Sequence, residues 1–313
     1  MNLAITGASG FIGRALLARL AVAANEGPHI LRTVALSTSA HGRQRITALF
    51  PHVQVKSLAE AGMPGVLDGI DVLMHAGWST VPSTAEIDPA RNMRENVDGG
   101  LQLLEAAAKA GVKRFIFLSS GGTVYGVTGH RPLNELQPAA PLQAYGAAKL
   151  LFEQHLAKYA ADRGFEYLSL RPSNVYGELL APSKPQGVIE HWLDAIRHDR
   201  PVEVWAGTDV VRDYLFIDDL VDVLVASLHR PIEFPVMNIG TGVGTSLVEL
   251  ASLVAEVTGR EMRMERTPSG PRGVPYNVLN TDRLQRCFGE REWTALPDGL
   301  RKYWARLQRT ANY

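Results

Sequence analysis

Only one cysteine, Cys287, occurs in the 313 residues, so no internal disulfide can form and no oxidising compartment is called for. Charge of one sign is lacking too: Lys and Arg number 32, and Asp and Glu also number 32. A balanced chain offers no overall field for nucleic acid or an anionic membrane, so a charged ligand has to be attracted locally. No apolar run approaches the roughly 18–20 residues of a membrane-spanning helix, because polar residues interrupt every one. The nine histidines include no pair at ligand spacing, which leaves metal binding without support. Internal repeats, low-complexity tracts and a charged leader are also missing, and the first apolar run already reads as a strand. These absences predict a soluble cytoplasmic protein with no nucleic-acid, membrane or metal partner.

What remains is an alternation. Short β-branched runs over residues 3–6, 33–37, 72–76, 114–119 and 167–171 are separated by Ala/Leu-rich segments at helical spacing over 11–24, 92–110 and 144–163. This pattern predicts an α/β fold with a doubly wound parallel sheet over residues 1–171. After Arg171 a series of prolines from Pro172 to Pro235 divides shorter elements, the texture of a smaller C-terminal lobe. Residues near 212–239 read as a helix and a buried strand that rejoin the first sheet, so the second lobe takes 172–211 and 240–313.

Three segments carry chemistry. AITGASGFIG sets Gly7, Gly10 and Gly13 between the first strand and the first helix. Glycines there let the backbone turn sharply and approach a pyrophosphate, whose charge meets the helix N-terminus. The plain alternative is a connecting turn, but its place after the first strand of an α/β chain favours a dinucleotide. AYGAAKL places Tyr145 and Lys149 four residues apart on one helix face. A phenol needs help to act as a base near neutrality, and an ammonium beside it, with a positively charged nicotinamide, could supply that help. Lowering its pKa by about three units takes about 4 kcal/mol, which suits two cations in a partly dry cleft. FIFLSSGGTVYG ends a strand where open sheets place their sites, and its hydroxyls Ser119, Ser120 and Thr123 could bond a sugar hydroxyl or merely cap the strand.

In order along the chain, GASGFIG, SSGGTVYG, YGAAK, RPSNVYG, RDYLFIDDL and NIGTG resemble the signature series of the extended short-chain dehydrogenases, in particular sugar-nucleotide enzymes similar to UDP-glucose 4-epimerase. The resemblance covers nearly the whole chain. It implies a Rossmann domain for NAD or NADP, a C-terminal lobe for a nucleotide-sugar, and a homodimer formed by a four-helix bundle of the helices at 92–110 and 144–163. It assigns Gly7, Gly10, Phe11, Ile12 and Gly13 to the pyrophosphate, and His75, Ala76 and Gly77 to the backbone run along the cofactor. Asn96 would support the active-site loop. Tyr145 and Lys149 match the catalytic pair, which also touches the cofactor. Asn174, Arg212 and, in SGPRGVPYNVL, Arg272 match groups on the sugar diphosphate, where a bidentate guanidinium suits two oxygens.

Three positions depart from the family pattern. The catalytic serine or threonine aligns with Gly121, so Ser120 or Thr123 has to stand in as catalytic and substrate-binding hydroxyl. The second strand ends in Ser37, with Arg43 six residues on, where an acidic residue would hold the ribose of NAD; small hydroxyls followed by arginine could instead accept the 2′-phosphate of NADP, so both cofactors stay open. Glu178 follows RPSNVYG in place of proline, and no physical reason for it is evident. The leading expectation is a nucleotide-sugar 4-epimerase that works through a transient 4-keto sugar and holds NAD tightly. An NADPH-dependent 4-ketoreductase of a 4-keto-6-deoxysugar is the alternative, and a catalytically silent cofactor sensor ranks behind both. Dehydration is disfavoured because Gly122 and Thr123 stand where an Asp-Glu pair would be needed. Asp218 and Asp219 read as charges at a helix start, and the arginines over 301–309 as the wet face of a terminal helix.

Overall fold

The computed structural model describes residues 1–23, 30–127, 129, 131–177, 187–204, 210–266 and 274–309. Its centre is a parallel seven-stranded sheet. The strands are β1 (Asn2–Thr6), β2 (Arg32–Ser37), β3 (Gln54–Ser57), β4 (Val72–His75), β5 (Arg114–Leu118) and β6 (Glu166–Pro172). Between them run α1 (Phe11–Ala23), α2 (Ala40–Leu49), α3 (Pro82–Ile87), α4 (Pro89–Asn92), α5 (Gly99–Lys109) and α6 (Ala144–Arg163). The remaining elements are β7 (Asn174–Tyr176), α7 (Val188–Arg197), β8 (Val202–Val204), β9 (Val211–Phe216), α8 (Ile217–Ser227), β10 (Val236–Ile239), β11 (Gly244–Ser246), α9 (Leu247–Thr258), β12 (Met264–Arg266), β13 (Tyr276–Asn277), α10 (Asp282–Phe288) and α11 (Leu296–Arg309).

The sheet order is β10-β6-β5-β4-β1-β2-β3, a Rossmann-like arrangement. β5 shows why it folds this way: all five residues are buried. Phe115 and Phe117 point into a cluster with Leu103, Leu104 and Phe152, on the side of α5 and α6. Ile116 and Leu118 point into the opposite cluster, with Leu16 of α1 and Leu220 and Leu224 of α8. A strand covered by helices on both faces has no use for alternating polarity, and its sequence has none. The strand order reverses between β1 and β4, whose last residues Thr6 and His75 lie side by side, and such a switch point opens a crevice at the carboxyl ends.

β10 pairs with β6 and extends this sheet. β9, by contrast, pairs with β7, β11 and β13 in a small sheet, so the polypeptide turns back toward the main sheet only at α8. β8 and β12 form a separate two-stranded ribbon.

One expected element differs. The single helix over 92–110 is α4 followed by a wide π turn, Met93–Asp98, before α5. The amide of Gly99 bonds back to Arg94, five residues away. This register brings Asn92 and Asn96 within hydrogen-bond reach, a function that apolar periodicity cannot reveal and that often marks working segments of helices.

Candidate active site

The turn after β1 is built from bare backbone. Gly7 has φ of +69°, and a Cβ there would lie 2.5 Å from the amide nitrogen of Gly77. A Cβ on Gly13 would lie 2.2 Å from the Gly7 carbonyl oxygen, which accepts the Gly10 amide at 2.9 Å. Two loops therefore meet with no room for side chains. Phe11 and Ile12 begin α1, so their N–H groups belong to the first turn, which has no internal acceptors. The arrangement fits a pyrophosphate.

His75 and Thr6 close the bottom of this crevice. The Gly77 amide donates to Thr6 Oγ1 at 3.1 Å, and Thr6 Oγ1 lies 2.7 Å from His75 Nδ1. Burial, aided by the charge of Lys149, pushes His75 down to about 3, so the ring is neutral. Ala76 and Gly77 then run past Gly7.

Tyr145 and Lys149 lie in the first part of α6, opposite this crevice. The Lys149 Nζ donates to the Leu118 carbonyl at 2.6 Å and sits 4.0 Å over the ring of Trp78. Burial lowers Lys149 to about 7, and the carboxylate of Glu153 works against that shift. The expected acid phenol is not a property of the chain alone: crowding by its neighbours pushes half-buried Tyr145 above the usual phenol range. The reason is geometric. The Lys149 ammonium is 5.7 Å from the Tyr145 ring centre and is committed to Leu118 and Trp78.

Glu153 continues the Tyr145–Lys149 face by one more turn and is paired with Arg171, both groups being almost fully buried. Arg171 also donates to the Tyr125 hydroxyl at 2.9 Å, which itself donates to Asn238 Oδ1 at 2.6 Å. The helix bearing the pair is thus pinned to β6 and β10.

A second polar network holds the loop from Gly77 to Val81. Asn96 Oδ1 accepts the Ser79 amide at 2.7 Å, and its Nδ2 donates to Thr80 at 3.2 Å and to Asn92 at 3.0 Å. Asn92 also donates to the Ala144 carbonyl at 2.9 Å, next to Tyr145. Asn96 has the loop contacts that the sequence suggested. Asn92, Glu153 and Trp78 were missed. An Asn four residues before Asn96 was the available hint for one of them, and an acidic residue four after Lys149 for another.

The serine-rich loop explains its own glycine. A Cβ on Gly121 would meet Leu279 Cδ1 at 2.6 Å and the Arg171 carbonyl at 2.9 Å, so the second lobe fills the space a serine would need. Thr123 Oγ1 is enclosed with no hydrogen-bond partner among the described residues, and so is Ser119 Oγ. The Thr123 carbonyl abuts Gly146, beside Tyr145. Ser120 Oγ and Asn174 Oδ1 lie on the same side of Gly122, 3.8 and 3.9 Å from where its Cβ would be.

In the small sheet Asn174 donates to the Asp213 carbonyl at 3.1 Å. Among the described residues Arg212 donates only to carbonyls, Val211 at 2.9 Å and Pro275 at 3.4 Å, and burial lowers its pKa. The nearby hydroxyl of Tyr214 is buried without a partner among the described residues. Asp213, not singled out in the sequence, is the organiser. Its carboxylate accepts from Ser173 Oγ, Thr241 N at 3.0 Å, Thr241 Oγ1 at 2.7 Å, Gly242 N at 3.1 Å and Leu279 N at 3.3 Å. Arg272 and Glu178 lie outside the described residues. Asp218 and Asp219 do stand in the first turn of α8; Asp218 pairs with Arg306 of α11 at 2.7 Å, and Asp219 accepts from Thr294.

At the far end of the crevice Ser37 Oγ lies 3.1 Å from Ser9 Oγ, and Arg43 Nη1 donates to the Ser37 and Thr38 carbonyls at 3.1 and 3.2 Å. Among the described residues no cluster of His, Cys, Asp and Glu could hold a metal, and no helix is long and apolar enough to cross a membrane.

The sequence model of the NAD dependent epimerase/dehydratase family matches residues 3–240. The chain is 29% identical over 308 residues to a UDP-glucose 4-epimerase of Mycolicibacterium smegmatis, spanning 96% of this chain and 97% of that one. It is 26% identical to a dTDP-4-dehydro-6-deoxyglucose reductase of Escherichia coli, over 95% of each. Among solved structures, a UDP-glucose 4-epimerase of Thermotoga maritima with UDP-glucose superimposes with a TM-score of 0.90 at 27% identity, covering 99% of this chain and all of the other.

Proposed function

Because the chain belongs to the NAD dependent epimerase/dehydratase family, we propose that it inverts C4 of a nucleotide-activated hexose, with a UDP-sugar as the first substrate to test. The observation that carries this reading is the Tyr145–Lys149 pair on one helix face, together with a turn, Gly7 against Gly77, that admits only backbone. A nicotinamide bound along that floor supplies a hydride acceptor and donor. Tyr145 takes the proton of the C4 hydroxyl and later returns it, which fits a general acid–base group held beside a cation. Lys149, held by Leu118 and Trp78 and lowered by burial to about 7, carries its positive charge beside the phenol on the acid side of neutrality. Ser120, on the Asn174 side of Gly122, holds the sugar hydroxyl in place of the absent serine. Asn174 and Arg212 anchor the diphosphate while the keto sugar turns over, and Arg212 has no carboxylate partner to give up among the described residues. Pairing of two copies through α5 and α6, and work in the cytoplasm, complete the reading.

A second reading, 4-keto-sugar reduction, is favoured by Ser37 and Arg43 at the adenosine end and by the reductase relative. One assay separates them. The purified chain is given UDP-glucose and UDP-galactose and the products are separated by chromatography. Epimerisation reaches the same mixture from either sugar without net change in reduced cofactor. Stoichiometric consumption of NADPH with a keto sugar, and no interconversion, sinks the epimerase.

A further inference from the structure

We propose that the adenosine end of the crevice is built to hold a 2′-phosphorylated dinucleotide, which departs from the NAD of the family name; this rests on reading the Gly7 turn as a dinucleotide site. Three hydroxyls from three different segments converge there. Ser9 belongs to the glycine turn, Ser37 ends β2 and Ser39 caps α2. Each Oγ lies 2.8 Å from the single point where a Cβ on Gly42 would stand, so only glycine leaves that space open.

Proton counting shows what the trio offers. Ser39 Oγ accepts the Gly42 amide at 2.8 Å, which leaves its own proton free among the described residues. Ser9 and Ser37 share one hydrogen bond, so one of their two protons is also free. Two free hydroxyl donors suit an anion such as a phosphate, which accepts hydrogen bonds and donates none. Arg43 adds charge: its guanidinium is half-buried, is bonded among the described residues only to the Ser37 and Thr38 carbonyls, and lines an open groove of about 530 Å³. No Asp or Glu occurs between Glu26 and Glu60, whereas Arg32, Arg43, Arg45 and Lys56 do, so the local field is positive although the whole chain is neutral.

The phosphate would lie at the opposite end of the cofactor from the nicotinamide, so this preference leaves open which sugar reaction follows. The test therefore uses probes without a nicotinamide. Calorimetry of the purified chain with ADP-ribose and with 2′-phospho-ADP-ribose, at fixed salt, is expected to show the phosphorylated probe binding about 30-fold tighter, the yield of charged hydrogen bonds. Arg43→Ala and Ser37→Ala each remove about 5-fold or more of that preference and leave ADP-ribose affinity within about 2-fold. Ser37→Asp, which places an acceptor where the diol of ADP-ribose would lie, reverses the preference. Equal or tighter binding of ADP-ribose by the parent overturns the phosphate site but leaves a dinucleotide site standing. Failure of both probes to bind overturns the dinucleotide reading as well. A preference that survives Arg43→Ala and Ser37→Ala overturns the assignment to these residues.

Discussion

The two halves of the site are made of different materials. The floor under the proposed cofactor is backbone against backbone: Gly7, Gly13 and Gly77 meet at distances that exclude every side chain. The wall under the proposed sugar is held by charge, with five N–H and O–H donors gathered on Asp213 and Arg212 beside it. Backbone dipoles recognise what every dinucleotide has, while side chains can be exchanged to recognise a particular sugar. A substitution in one half should therefore leave the other intact.

The largest effect expected comes from the floor. Gly7→Ala puts a methyl into Gly77 and forces a non-glycine residue to φ of +69°, so dinucleotide affinity falls by 100-fold or more, about 3 kcal/mol, in calorimetry, while UDP still binds. At the junction, Tyr145→Phe lowers kcat by about 10²- to 10⁴-fold with affinity for both ligands kept. In the wall, Asp213→Ala strands five donors and costs on the order of 3 kcal/mol in a denaturant melt, and what remains folded loses UDP-sugar before it loses dinucleotide.

Acid sharpens the contrast. His75 has a folded pKa of about 3, against about 6.5 unfolded, so below 6.5 the unfolded chain takes up the proton first. Stability is unaffected by this group above pH 6.5 and is lost progressively as pH falls toward 3. Between pH 7 and 5 the loss is about 2 kcal/mol, read as a drop in melting temperature that a His75→Asn variant does not share. Smaller still is Ser120→Ala, about 10-fold in kcat/KM, and the smallest expected effect is that of Thr123→Val, whose hydroxyl is enclosed.

The floor was more legible than the wall. A glycine triplet after a strand states its geometry in three letters, and in the fold Gly7 packs against Gly13 and Gly77. Lys149 was placed by spacing, but its consequence for Tyr145 was not, because burial and the competing claims of Leu118 and Trp78 have no local signature. Gly121 reads as a lost hydroxyl in the sequence and as room for Leu279 in the fold, a contact across 158 positions that no motif encodes. Asp213 was hidden for a similar reason, since its donors arrive from residues 173, 241, 242 and 279. The π turn escaped because its apolar spacing still passes for a plain helix.

The indole of Trp78 lies 4.0 Å beneath the ammonium of Lys149. An excited indole shifts charge from its pyrrole ring to its benzene ring, and a cation held that close tunes the colour and yield of its emission. With the lysine titrating near 7, the protein carries a built-in optical gauge of its own protonation, recorded as the pH-dependent fluorescence that disappears in Trp78→Phe.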